Sequence, residues 1–302
     1  MLGLLYLLWI FIIGYYLMLK FTPWFDYATL GGKDTDKPRV PAWMMQLPFA
    51  WILGALVVNW INFFLCNFNR SISTTLFTMT AAGTAAVWIV LSERKNPNSV
   101  FFANLRRLWQ GTGKTEWCYL LIALALACYT NLYTLADNGK ELFISSGVFS
   151  DFAPHTSLIR SFSVGENFPP QYPHFAAGDI PYHFLFHFLV ASLESLGLPL
   201  SWSFNIPSIL SVTSLLLLIY VLALRITGWK AVAFWAMFFI FFRSSWAFFD
   251  LARNYSLTQL PEAILDTNFY VGKTANAGWG MWTLFNTFAN QRHLAFGICA
   301  AL

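Results

Sequence analysis

The sequence predicts an all-α membrane protein: a polytopic helical bundle with amphipathic surface helices in a long extracytoplasmic loop. Three observations carry that expectation. Of the 302 residues, 57% are hydrophobic and only 11% charged, against about 25% charged in an ordinary soluble domain. Apolar runs near 20 residues, long enough for a bilayer core of about 30 Å, recur along the chain. Lysine and arginine gather in alternate connecting loops, as the positive-inside rule requires.

The runs follow in order as Leu2–Leu19, Met44–Cys66, Ile72–Leu91, Trp117–Ala136, Ser203–Leu224 and the shorter Ala231–Phe242. The first starts at once with no positive segment before it, and is too long for the apolar stretch of a signal peptide. Its first charge, Lys20, follows the run, which places the N-terminus outside. Lys33, Lys37 and Arg39 join Lys20 in the first inner loop, and Arg94, Lys95, Arg106, Arg107 and Lys114 make the second. Arg70 falls in an outer turn, and the polar stretch after Asp137 carries only Lys140 and Arg160 before the next run. The apolar stretch Pro181–Gly197 is short and holds His183, His187 and Glu194. It is expected to lie along the outer interface, which keeps Arg225 and Lys230 inside. The final apolar run from Leu294 is about half a bilayer long, so the chain is expected to be part of a longer protein.

The net charge of +4 is spread over short loops, which argues against nucleic acid as a partner. Cys66, Cys118, Cys128 and Cys299 lie in or at the ends of apolar runs without metal-ligand spacing, and are expected to be packed free thiols. QGTGKT at 110–115 lacks a phosphate-loop glycine, because position 108 is leucine.

The polar chemistry concentrates in Ser150–Glu194. This stretch holds four of the five histidines, together with Asp151, Glu166, Asp179, Glu194 and Arg160. Asp151 suits a helix N-cap or a base at the membrane surface. His155 follows one helical turn later, so the two share a face, with Arg160 a candidate neighbour. His183 and His187 also share a face if helical, a spacing that suits a metal, although the glutamate of HExxH is missing. In NQRHLAFG, Gln291, Arg292 and His293 stand where an apolar helix begins. Arg292 either snorkels or offers its planar fork of donors to a phosphate at the bilayer surface.

SDFAPHTSLIRSFSVGENFPPQYPHFAAGDIPYHFLFHFL resembles the first outer loop of polytopic GT-C glycosyltransferases, and NQRHLAFG resembles a later helix start in related bacterial membrane proteins. The likeness covers roughly 117–302, leaving 1–116 as an N-terminal three-span segment and 117–302 as a GT-C-like module with its catalytic loop at about 137–203. It implies an inverting transferase of the bacterial plasma membrane. The donor would be a sugar on a polyprenyl phosphate, the acceptor a glycan, lipid or protein on the outer side, with membrane lipids around it. Asp151 would act as base and Asp179 would supply the second carboxylate, with a divalent cation an open question. His155, Arg160, His183, Lys273, Gln291, Arg292 and His293 would contact substrate, Arg292 holding the leaving phosphate. A transporter or a non-catalytic membrane scaffold are the rival readings. The scarcity of ionisable residues inside the spans weighs against transport.

Overall fold

The computed structural model describes residues 1–21, 40–145, 148–175, 178–180, 182–241, 253, 255–259, 262 and 284–302. Lys273, named above as a substrate contact, lies outside them. Helices dominate: α1 (Leu2–Phe21), α2 (Trp43–Asn69), α3 (Thr74–Lys95), α4 (Val100–Arg107), α5 (Lys114–Thr134), α6 (Phe149–Ser163), α7 (Leu185–Ser195), α8 (Leu200–Thr227), α9 (Lys230–Phe241), α10 (Leu284–Asn290) and α11 (Arg292–Ala301). A short antiparallel hairpin, β1 (Leu135–Asp137) with β2 (Leu142–Ile144), opens the polar region. Among the described residues five helices, α1, α2, α3, α5 and α8, are long and apolar enough to cross a bilayer. The chain is a polytopic helical integral membrane protein.

The spans pack because their sequences let them approach. α1 and α2 run antiparallel with Gly14 against Gly54; a Cβ on Gly14 would collide with the Ala50 carbonyl, and one on Gly54 with the Ile10 carbonyl. Small residues at such a crossing supply the close packing that holds helices together where lipid and side chain are equally apolar. α2 in turn meets α8, where the buried Trp51 indole donates to Ser211 Oγ at 3.2 Å. Tyr119 of α5 donates to the Leu216 carbonyl of α8 at 2.6 Å. One hydrophobic core runs from Tyr6 to Cys299, so the chain on either side of residue 116 shares a single interior. Outward-facing Leu8, Phe64, Phe77, Trp88, Leu121 and Phe239 stay exposed on the helices, as lipid-facing side chains should.

Two ion pairs mark one end of the bundle. Lys20 pairs with Glu93 at 3.8 Å, joining the C-terminal ends of α1 and α3. Lys230 pairs with the buried Glu116 at 2.6 Å, joining the starts of α9 and α5. Glu116 also closes the first turn of α5 by accepting from the Gly113 amide at 3.0 Å, the side-chain-to-N-cap half of a capping box, which satisfies one donor at the helix start. Trp43, Trp109 and Trp117 stack together at the same end, with centroids 5.1–6.1 Å apart, matching the aromatic belt of a membrane–water interface. α8 stops there at Gly228, whose φ of 74° is a left-handed cap that a side chain would strain.

The opposite end carries α6, α7 and the start of α11. α6 is amphipathic, with Phe152, His155, Leu158, Ile159 and Phe162 buried and Ala153 and Arg160 exposed. α7 does not cross: eleven residues reach about 16 Å at 1.5 Å per residue. It is not half in water either. Every residue from Phe186 to Leu193 is buried, because α1, α2, α6, α8 and α11 all pack around it. The polar side expected to meet solvent is covered by protein.

Candidate functional site: a nest of histidines

Four histidines that are far apart in sequence meet at this end. α6 brings His155, the segment before α7 brings His183, α7 brings His187, and α11 brings His293. The imidazole centroids of His155, His187 and His293 form a near-equilateral triangle with sides of 4.8, 5.4 and 5.5 Å. The His183 ring lies tilted against His293 with centroids 3.9 Å apart, and their Nε2 atoms touch. Helix α7 starts at Leu185, so the His183/His187 pair does not share one helix as the four-residue spacing suggested. The two still reach the same centre, His183 from the approaching loop and His187 from the helix.

Tyr182 and Gln291 set the orientation. The Tyr182 hydroxyl donates to Gln291 Oε1 at 3.0 Å and lies 3.2 Å from His155 Nε2. With its proton committed to Gln291, the Tyr182 oxygen accepts from His155 Nε2–H, which leaves the lone pair of His155 on Nδ1. His155 Nδ1, His293 Nδ1 and both ring nitrogens of His187 are buried with no hydrogen-bond partner among the described residues. The His183 backbone is close enough to His187 to favour its protonated form, but it does not reach hydrogen-bond geometry. Each such orphaned polar atom costs roughly 1–3 kcal/mol.

The imidazoles are neutral at neutral pH. Burial pushes His155 down to about 4; Asp151 opposes this, while His183 and Arg292 add to it. Burial, then His183 and His155, takes His293 to about 3. His187 is held well below the ordinary histidine value by burial and by its neighbours His155 and His293, and burial also lowers His183. Neutral imidazole is the form that offers a lone pair to a metal or accepts a proton.

Asp151 stands at the edge of the nest. It is half-buried in the first turn of α6, whose N-cap is Val148, so Asp151 is not the cap residue. Its charge acts on both His155 and Tyr182. Asp179 does not join it. The Asp179 backbone bridges to Gln171 and its side chain is exposed; no described contact links it to Asp151, His155 or Tyr182. Arg160 is also elsewhere, exposed and paired with Glu194 at 3.2 Å. Glu194 accepts from Ser163 as well, at 2.6 Å, and this clasp holds α6 to α7.

Arg292 differs most from its expected role. Its residue exposure is 0%. Nη1 donates to Asn205 Oδ1 at 2.6 Å, and Nη2 donates to the Asn131 carbonyl and to Thr134 Oγ1, both at 2.9 Å. The rings of Phe152 and Phe204 flank the guanidinium at 4.9 and 4.6 Å. Burial lowers its pKa to about 9, so it remains cationic at neutral pH. Both terminal nitrogens are taken by α5 and α8, while the buried Nε has no partner among the described residues; the guanidinium faces the protein interior and not the bilayer surface. Arg292 is a strut that pins α11, and with it His293, against α5, α6 and α8. Its partners left a trace in the sequence: Asn131 and Asn205 are polar residues in otherwise apolar runs, and such residues face the bundle interior. Tyr182 was the residue overlooked, signalled only by its place beside His183.

The fold and the nest define a polytopic helical membrane protein with a desolvated polar centre at the end of the bundle opposite its basic loops. No family model matches the chain, and neither a curated protein nor a solved structure is significantly similar to it.

Proposed function

We propose that the protein is a membrane transferase that moves a sugar from a polyprenyl-phosphate donor to an acceptor at the end of the bundle carrying the histidines, with Asp151 as the base. One observation carries the reading. Asp151, His155, Tyr182, His183, His187 and His293 are gathered at one end of a set of spanning helices, where a lipid-held donor would present its headgroup. The positive-inside rule supports an extracytoplasmic placement of that end in this reading, since Lys20, Arg94, Lys95, Lys114, Arg225 and Lys230 belong to the other. The resemblance of the 150–189 loop to GT-C enzymes supports the choice of reaction. Asp151 is half-buried beside neutral imidazoles, so an acceptor hydroxyl held there has a carboxylate to take its proton as the anomeric carbon is attacked. Arg292, buried and bonded to α5 and α8, is assigned in this reading to holding α11 in place.

The test is turnover of a panel of polyprenyl-phosphate sugars by the chain in nanodiscs, comparing wild type with Asp151→Asn. General-base loss is expected to lower turnover about 10²–10⁴-fold while donor binding is kept. Equal turnover by the two proteins, or none by wild type over the panel, would remove the reading.

A further inference from the structure

We propose that His155, His187 and His293 form a binding site for one divalent transition-metal ion of the zinc class, held by three imidazole nitrogens. The inference does not depend on the transferase reading, because metal content is measured without substrate.

The geometry is that of ligands waiting on a shared point. One ring nitrogen from each of the three residues lies within 4.8 Å of the other two. Zinc–nitrogen bonds of about 2.0–2.1 Å in a tetrahedron put ligand atoms about 3.3 Å apart, so the longest side closes by about 1.5 Å, within reach of small ring rotations. The nitrogens that need a partner fit the assignment. His155 Nδ1 and His293 Nδ1 are orphaned, as are both nitrogens of His187. Two of the three residues have their other nitrogen engaged from outside, His155 Nε2 by Tyr182 and His293 Nε2 by His183, while the second nitrogen of His187 has no partner among the described residues. Histidines that ligate metals almost always use their second nitrogen in this way, because the outer partner fixes the tautomer and the ring plane. Gln291 extends the support by fixing the Tyr182 proton. Each of the three residues thus combines a ring nitrogen within 4.8 Å of the other two with a buried nitrogen that has no partner among the described residues.

The donor set also selects the ion. Imidazole suits zinc, copper, iron and nickel, whereas magnesium and calcium call for oxygen ligands. Among the described residues Asp151 is the only carboxylate whose charge is felt at His155 and Tyr182, and the exposed Asp179 is not part of the nest. A hard divalent cation shared by the two aspartates therefore has no site in the described residues, while a zinc-class ion does. Three protein ligands leave a fourth position open to water or substrate.

The chain, purified in detergent without a histidine tag, would be dialysed against Zn²⁺ and separately against Co²⁺ at neutral pH. One bound ion per chain is expected, with the intense visible absorption of tetrahedral cobalt and an X-ray absorption shell containing imidazole nitrogens. His155→Gln and His187→Gln should each lose the ion, while His174→Gln, outside the nest, should keep it. Tyr182→Phe should retain the ion with affinity weakened about 10–100-fold, the effect expected of an outer partner. Failure of wild type to hold an ion after dialysis, an all-oxygen shell, or retention of a full ion by both nest variants would each overturn the site. If the nest variants do not fold, the wild-type absorption shell decides alone.

Discussion

Replacing Arg292 by lysine separates a buried strut from a phosphate clamp. Lysine keeps the charge but loses the fork. Of the three hydrogen bonds to Asn205, Asn131 and Thr134, a single ammonium on a shorter reach keeps one at most. Bonds to a charged group contribute about 1.5–3 kcal/mol each, so losing two costs roughly 3–6 kcal/mol. The guanidinium contacts with Phe152 and Phe204 are weakened as well. A buried lysine can shed its proton, which puts the expected loss near the lower bound, about 3 kcal/mol. At about 2 °C per kcal/mol for a chain of this size, that is a fall of roughly 6 °C in melting temperature. The buried thiols of Cys66 and Cys299 report unfolding in detergent through a thiol-reactive dye. Arg292→Lys melting like wild type while losing affinity for a polyprenyl-phosphate would refute the strut and restore the clamp.

Further outcomes follow from the same packing. Gly14→Val forces a side chain into the Ala50 carbonyl and is expected to destabilise the α1–α2 pair by about 1–3 kcal/mol; a melting point at the wild-type value would contradict the close approach. Lys230→Met should cost more than Glu116→Gln, because it strands a carboxylate with 1% side-chain exposure, whereas Lys230 is 42% exposed and can hydrate; the reverse order in thermal melts would count against that pairing. Arg160→Ala should change stability by less than about 1 kcal/mol, since its bridge to Glu194 is solvent-screened on the arginine side; a large loss would show the α6–α7 clasp to be stronger than its exposure allows.

The spans were legible because a membrane writes its demand into composition. The runs at Leu2, Met44, Ile72, Trp117 and Ser203 correspond to α1, α2, α3, α5 and α8, and the alternation of lysine and arginine anticipated the basic end that Lys20, Glu93, Glu116 and Lys230 mark. Residue spacing spoke less clearly about the site. Asp151 and His155 do share a face of α6, but Asp179 is carried away by the bridge to Gln171, a pairing no local pattern announces. Arg292 looked superficial because it precedes an apolar run. It is buried because α5, α6 and α8 close over it, and those contacts span 87 to 161 residues of sequence. α7 looked interfacial because its own composition mixes histidine with leucine. Its burial depends on helices contributed by both halves of the chain.

In the proposed function a lipid-held phosphate is expected to meet the protein at the histidine end of the bundle. A photoreactive polyprenyl-phosphate probe in nanodiscs, with its reactive group beside the phosphate, tests this without knowledge of the sugar. The adducts, located by mass spectrometry, are expected on α6, on the segment before α7 and at the start of α11, and to be competed away by unlabelled polyprenyl-phosphate. Competable labelling at the basic end instead, around α4 or the α8–α9 turn, would contradict the claim.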